Sequence, residues 1–162
     1  MKRVWWLIFS IIVAGCGYKP IKSFAKESIK DPVYIYVNIR PDEPKYGVYI
    51  YDEFAKLISE RLNLKLTKDK KEAKSKIDII DYSISLKPLN YDENGYVIRY
   101  GVRVSIKYRV KSPKKSWQES LSSYEEVGVK STSIQSYKSQ EEAIKEAIDK
   151  ALDRFLYHLT IR

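Results

Sequence analysis

Residues 98–110 read IRYGVRVSIKYRV, and apolar and polar side chains alternate along the whole stretch. A period of two residues is typical of a β-strand that buries one face, because successive side chains point to opposite sides of a sheet. One face carries Val102, Val104 and Ile106, and the other carries the cations Arg99, Arg103, Lys107 and Arg109. The stretch therefore predicts a long strand whose apolar face lies on the core.

Turn signals lie on both sides of this strand. Residues 92–95 (DENG) suit a hairpin because Asn-Gly tolerates positive φ, and residues 112–115 (SPKK) suit a second one. The flanking stretches 80–86 and 117–129 also alternate, so we expect three consecutive strands. Ile77 and Ile79 are out of phase with Ile80, which predicts either a β-bulge or a strand boundary near residues 79–80.

The remaining elements are a strand at 33–39 and two amphipathic helices. The first helix is expected to begin near Asp52, with its apolar face at Phe54, Leu57, Ile58 and Leu62. Ser139 and Glu142 fit a capping box for the second, whose stripe is Ile144, Ala147, Ile148, Ala151, Leu152, Phe155 and Leu159. The order β-α-β-β-β-α predicts an α+β two-layer sandwich, with two helices packed on one face of a four-stranded sheet. The charged stretch 68–76 is most simply a solvated loop.

The N-terminus is typical of an export signal. Two basic residues precede an apolar run at 4–13 that is too short to span a bilayer. The run ends in Val13-Ala14-Gly15-Cys16, which resembles the lipobox of bacterial lipoproteins, where the cysteine is alkylated by diacylglycerol and becomes the new N-terminus. We expect residues 1–15 to be a removed signal peptide, 16–32 a lipidated N-terminus and tether, and 33–162 a single α+β domain.

Two alternatives stay open in this segment. Cys16 is the only cysteine, so a disulfide within the chain is excluded, but it could be a structural residue of a transmembrane anchor. The stretch 17–32 could form an amphipathic helix with Ile21, Phe24 and Ile29 against anionic head groups. Gly17 is not aspartate, and in similar proteobacterial lipoproteins this favours sorting to the outer membrane.

The formal net charge is +9. A basic chain often binds nucleic acid, but an exported one meets none, so its anionic partners would be phosphorylated lipids and glycolipids. The cations of residues 98–110 are either an ordinary solvated sheet face or a phosphate contact, which the fork of an arginine suits.

The residues favour a protein without catalytic activity. No metal-ligand cluster, phosphate loop or nucleophile motif occurs, so we expect no metal and no cofactor apart from the covalent lipid on Cys16. His158 lies near the end of the last helix, where a cation meets the helix dipole favourably. Carboxylate pairs such as Asp78 and Asp81 are better explained as strand or helix charges than as an acid–base couple.

Cys16-Gly17-Tyr18, the order of elements and the capped last helix together resemble the LptE family of lipopolysaccharide-assembly lipoproteins. The resemblance implies an outer-membrane protein, facing the periplasm or lying inside the translocon barrel LptD, that helps this barrel to assemble and binds lipopolysaccharide. It also implies basic residues near the hairpin between the second and third strands and before the last helix. Lys138 matches the second location, whereas Asp92 and Glu93 make the hairpin tip acidic.

A second function stays open at this point. Small outer-membrane lipoproteins with α+β domains also dock on cell-wall synthases and activate them. Such activators usually have a long disordered tether, and the one expected here is short.

Overall fold

The computed structural model describes residues 21–129 and 133–160, so Cys16 and the predicted signal peptide lie outside it. Its elements are α1 Ile21–Ser28, β1 Val33–Val37, α2 Pro44–Lys56 with a π-helical turn at Leu57–Arg61, β2 Ser75–Tyr91, β3 Val97–Lys111, β4 Ser116–Gly128 and α3 Ser133–Thr160. Within this part of the chain, no helix is both long and apolar enough to cross a membrane.

The four strands form one sheet in the order β1-β2-β3-β4. β1 runs parallel to β2, and the two hairpins make the other pairs antiparallel. The helices pack on one face of the sheet, so the predicted α+β two-layer sandwich is confirmed, with three helices in the place of two. We call the other side of the sheet the open face.

The apolar face of β3 is the centre of the core. Its residues from Val102 to Val110 on that face are fully buried, as the alternation predicted. Phe155 of α3 lies between two aromatic rings, with centroid distances of 4.8 Å to Phe54 and 5.2 Å to Tyr108. The predicted apolar stripe of the last helix is buried along its length.

Of the two features expected near residues 79–80, β2 has the β-bulge and not the strand boundary. The register with β3 shifts between Ile79 and Asp81, which leaves Ile80 as the extra residue. Because of this shift, Ile77, Ile79 and Tyr82 all lie in the core, although the sequence places them in different phases. Ile80, which we grouped with Tyr82, is outside the core.

Both long helices begin earlier than predicted. α2 begins at Pro44 rather than near Asp52, because proline suits the first helical turn and Tyr46, Ile50 and Phe54 already point to the core. α3 begins at Ser133, so Ser139 lies inside the helix and not at its cap. A capping-box pattern within a longer helix therefore misplaced its start.

The structure differs from the expected tether over α1. Ala25 and Ile29 are fully buried, and α1 packs against α3. Ile29 directly follows α1, and its N–H donates to the Ala25 carbonyl at 2.7 Å, so it extends the buried side of the helix by one position. Tertiary contacts there outweigh the low helix propensity of the nearby serines. Ile29 thus faces the protein core, not a lipid surface.

Candidate functional site

The open face holds the four cations of β3 in one line. Arg99, Arg103, Lys107 and Arg109 point away from the helices, and the two antiparallel ladders determine which side chains lie beside them. These neighbours divide the line into two halves.

Near the β3–β4 turn, the cations face carboxylates or amides. Arg109 lies directly across from Asp78 and donates two hydrogen bonds to Oε1 of Gln118, at 3.2 and 2.7 Å. Lys107 lies across from Asp81. Opposite charges directly across a ladder offset each other, so this half is poorly suited to an additional anion.

Towards the β2–β3 hairpin, the cations lie around an aromatic ring. Tyr124 packs over Gly101, and the Arg103 guanidinium lies 5.4 Å from the centroid of the Tyr124 ring. Arg99 makes a 3.4 Å ion pair with Glu126. Lys87 of β2 lies across from Gly101, so Lys87, Arg99 and Arg103 share this area with one carboxylate, Glu126, among the strand residues that the structure describes. We call these three cations and Tyr124 the arginine–tyrosine site.

Lys138 lies elsewhere. It belongs to α3 on the helical side of the sheet, where it is exposed and 3.8 Å from Glu142. At the residue before Lys138, the Tyr137 hydroxyl accepts a hydrogen bond of 3.0 Å from the Lys45 ammonium of α2, which raises the pKa of Lys45. The structure therefore does not bring Lys138 together with the cations of β3 on one face.

The end of the β2–β3 hairpin exposes large apolar side chains. Along β3 the apolar face is covered up to Val102, but Ile98 is 39% exposed, and Tyr91 and Tyr96 beside the turn are 57% and 65% exposed. Leu89, near the end of β2, is also 39% exposed. The alternation pattern alone could not reveal this exposure, because the pattern does not show where the helices end. We call these four residues the hairpin patch.

The acidic hairpin tip has a structural explanation. The Asp92 carboxylate accepts hydrogen bonds from the backbone N–H groups of Asn94 and Tyr96, at 3.0 and 2.8 Å. Gly95 has a φ of 81°, as the Asn-Gly signal predicted. Asp92 thus closes the turn, and its acidity does not by itself indicate a binding role.

His158 anchors the end of α3 to the sheet. Its Nδ1 lies 2.7 Å from Oε2 of Glu119 on β4 and 3.1 Å from the hydroxyl of Tyr108 on β3. Asp78 and Asp81, the carboxylate pair considered from the sequence, lie across from Arg109 and Lys107. Glu125 of β4 is likewise 2.7 Å from the Lys150 ammonium. Within residues 21–129 and 133–160, no three potential ligands cluster to hold a metal ion.

Comparison with known proteins gives the fold and the family. Rare lipoprotein B from Shewanella oneidensis is 20% identical, with a TM-score of 0.57 over 79% of this chain and 92% of that one. A minor lipoprotein from Acinetobacter baumannii is 10% identical, with a TM-score of 0.57 over 80% and 90%. Lipoprotein B from Nitrosomonas europaea is 14% identical, with a TM-score of 0.53 over 86% and 88%. At these identities the likeness shows the fold alone.

No curated protein sequence matches the chain. The family described as LptE, lipopolysaccharide-assembly, matches residues 33–159, which is every element from β1 to all but the last residue of α3. The chain therefore belongs to the LptE family of lipopolysaccharide-assembly lipoproteins.

Proposed function

We propose that this protein is a lipid-anchored component of an outer-membrane lipopolysaccharide translocon, that it assembles with an LptD-like barrel, and that it binds lipopolysaccharide without catalysing a reaction. The observation that carries the proposal is the family match over residues 33–159, which gives the protein a role in lipopolysaccharide assembly. The proposal adds three statements to this match: the partner is an LptD-like barrel, the protein contacts lipopolysaccharide directly, and Cys16 carries the lipid anchor.

The arginine–tyrosine site supports the ligand contact. Its three cations are close to only one carboxylate, Glu126, among the residues described on this part of the open face. Arginine forks match phosphate oxygens, and Tyr124 offers a ring against which a sugar can pack. We therefore assign the lipopolysaccharide contact to Lys87, Arg99 and Arg103 in preference to Lys107 and Arg109, whose ladder partners are acidic.

The hairpin patch supports the barrel partner. Exposed tyrosines and aliphatic residues at the end of an element are typical of a protein interface, because they bury large areas at a low cost in side-chain entropy. Leu89, Tyr91, Tyr96 and Ile98 would meet the barrel or its loops. Lys138 lies on the helical side and would act as a second, separate contact.

Binding of full-length protein to detergent-dispersed lipopolysaccharide tests the ligand contact. A charge-assisted hydrogen bond contributes about 1.5–3 kcal/mol when it is shielded and less when it is exposed. Replacing Arg99→Glu and Arg103→Glu together should therefore weaken binding by about tenfold. The affinity should also fall as the salt concentration rises, because exposed charges are screened.

The matched control is Lys26→Glu with Lys56→Glu, which changes the net charge equally at two exposed positions of α1 and α2, away from the open face and from the connector before β2. Lys138→Glu reports separately on the helical side. If the arginine pair and the control pair bind lipopolysaccharide equally well, the arginine–tyrosine site is only a solvated surface. Co-purification from solubilised outer membrane tests the partner, and a cell-wall synthase in place of a barrel as the main partner would contradict the proposal.

A further inference from the structure

The end of the sheet opposite the β2–β3 hairpin carries most of the excess positive charge. Two stretches meet there, the connector 65–76 and the β3–β4 turn at 111–115. They contain nine lysines and two carboxylates, a net charge of +7 in a chain of +9. We call these two stretches the lysine end.

Backbone pairing brings these like charges together. Lys76 lies directly across from Lys111 in the ladder between β2 and β3. The connector is fastened beside them, because the Lys74 N–H donates to the Pro32 carbonyl at 2.9 Å and the Val33 N–H donates to the Lys65 carbonyl at 2.8 Å. The fold therefore concentrates the lysines at one end despite their mutual repulsion.

The two carboxylates of the lysine end shape the connector. Oδ1 of Asp69 accepts a hydrogen bond from the Lys71 N–H at 2.7 Å, and Oε2 of Glu72 accepts one from the Thr67 hydroxyl at 3.3 Å. Lys65, Lys68, Lys70, Lys71, Lys74, Lys76, Lys111 and Lys114 make no ion pair with any carboxylate in the described part of the chain. Their charges are thus available to a partner.

We infer that the lysine end is a docking surface for an anionic lipid bilayer. Lysine ammonium groups are hydrated point charges that suit diffuse attraction to many head groups, and lysines near an anionic leaflet each add to binding. No groove or pocket is needed for this contact, since a bilayer is a broad surface of phosphates. An anionic bilayer therefore fits a set of exposed lysines spread over two loops better than one small ligand does.

The predicted anchor leads to the same end of the molecule. The Lys30 N–H, just after α1, donates to the Ser75 hydroxyl at the start of β2, at 2.8 Å. From there, α1 rises about 12 Å, and the five residue-to-residue steps from Ile21 back to Cys16 span at most about 17 Å. An acyl group on Cys16 would hold a bilayer within about 30 Å of the lysine end, and firm membrane attachment commonly combines an acyl chain with a basic patch. The inference takes this anchor from the proposed function and otherwise depends on the charge distribution.

Fluorescence energy transfer between the protein and lipid vesicles tests whether the lysine end contacts an anionic bilayer. Full-length protein with Ala73→Cys, labelled with a fluorophore, is placed in phosphatidylcholine vesicles with or without phosphatidylglycerol, and the acceptor is on the lipid head groups. Adding phosphatidylglycerol should raise the efficiency of energy transfer from the label at position 73 to about twice that from a label on Asn94→Cys at the hairpin tip. A high salt concentration should remove this increase. The parent protein, whose only cysteine is Cys16, reports background labelling.

Charge reversals separate this contact from the arginine–tyrosine site. Lys70→Glu with Lys71→Glu should abolish the increase at position 73, whereas Arg99→Glu with Arg103→Glu, an equal change in net charge, should leave it intact. Because the vesicles contain no lipopolysaccharide, the result does not depend on lipopolysaccharide binding. Transfer from position 73 that is insensitive to phosphatidylglycerol, or equally sensitive to both pairs of reversals, would overturn the inference.

Discussion

Adding one methyl group at Gly47 should destabilise the domain, although glycine is a poor residue for the interior of a helix. A Cβ at this position would lie 2.8 Å from the Tyr82 hydroxyl and 3.2 Å from the side chain of Ile39. Tyr82 is only 1% exposed, and its hydroxyl is held at 3.1 Å by the Arg40 N–H and at 2.9 Å by the Glu43 carbonyl. The hydroxyl cannot move away without losing these hydrogen bonds.

Three contributions determine how much Gly47→Ala changes the free energy of unfolding. Overpacking costs about 1–3 kcal/mol, the two hydrogen bonds contribute about 0.5–1.5 kcal/mol each, and alanine gains about 1 kcal/mol over glycine in a helix. If the hydrogen bonds are partly kept, Gly47→Ala should lower the free energy of unfolding by about 1–3 kcal/mol. Urea denaturation followed by circular dichroism would measure this loss as a lower midpoint at an unchanged slope.

Gly101→Ala is the matched control. Its Cβ would lie even closer to a tyrosine hydroxyl, 2.6 Å from that of Tyr124. Tyr124 is 45% exposed and can rotate into solvent, so the loss should stay within about 0.5 kcal/mol. Tyr82→Phe should reduce the cost of Gly47→Ala in a double-mutant cycle, since it removes the atom that the methyl group meets. A Gly47→Ala protein as stable as the parent, or less affected than Gly101→Ala, would refute this reasoning.

Three further predictions concern the core, the anchor and the end of α3. Phe155→Ala should cost about 3–5 kcal/mol because it leaves a cavity between Phe54 and Tyr108, while Phe155→Leu should cost less than half of that; an unchanged melting temperature for Phe155→Ala would mean that α3 is docked differently. Mass spectrometry of membrane-extracted protein should show an acylated Cys16 at the N-terminus, and an unmodified chain beginning at Met1 would contradict the proposed anchor. His158→Ala should accelerate hydrogen exchange in the last turns of α3 more than in its first turns, because the side chain bridges that end to Glu119 and Tyr108; uniform exchange along the helix would contradict this role.

The sequence predicted the sheet better than the helices, for a physical reason. A strand such as β3 is identified by alternation, which a single buried face imposes directly, and a bulge is visible as a break in phase at Ile80. Helix starts depend on packing that local signals do not contain. Tyr46 and Gly47 give no strong helix signal, yet Tyr46 is buried and Gly47 fits closely against Tyr82, so α2 begins eight residues early.

The binding surfaces could be predicted only in part. Alternation correctly placed Arg99, Arg103, Lys107 and Arg109 on one face. It could not predict that Asp78 and Asp81 lie across from two of these cations, because that pairing depends on the register around the bulge. The position of Lys138 relative to that face depends on how α3 crosses the sheet. The lysine end was likewise hidden, because its two stretches are separated by more than thirty residues in the chain and meet only through strand pairing.

The two cationic surfaces differ in chemistry, and this difference bears on how the protein would be oriented. The arginine–tyrosine site holds its guanidinium groups against Tyr124 and Glu126, which suits recognition of one ligand. The lysines at the other end are spread over two stretches and suit a broad anionic surface. β2 places the hairpin patch about 50 Å from the lysine end, more than the 40–45 Å thickness of a whole bilayer with its head groups, and places Lys87 of the arginine–tyrosine site about 36 Å from Lys76. A protein docked through its lysine end would therefore present the hairpin patch and the arginine–tyrosine site well away from that leaflet. Inside a barrel that crosses the membrane, the hairpin could extend into the depth of the bilayer without contacting lipid. In this arrangement the protein could contact the barrel through its hairpin patch and the leaflet through its lysine end at the same time.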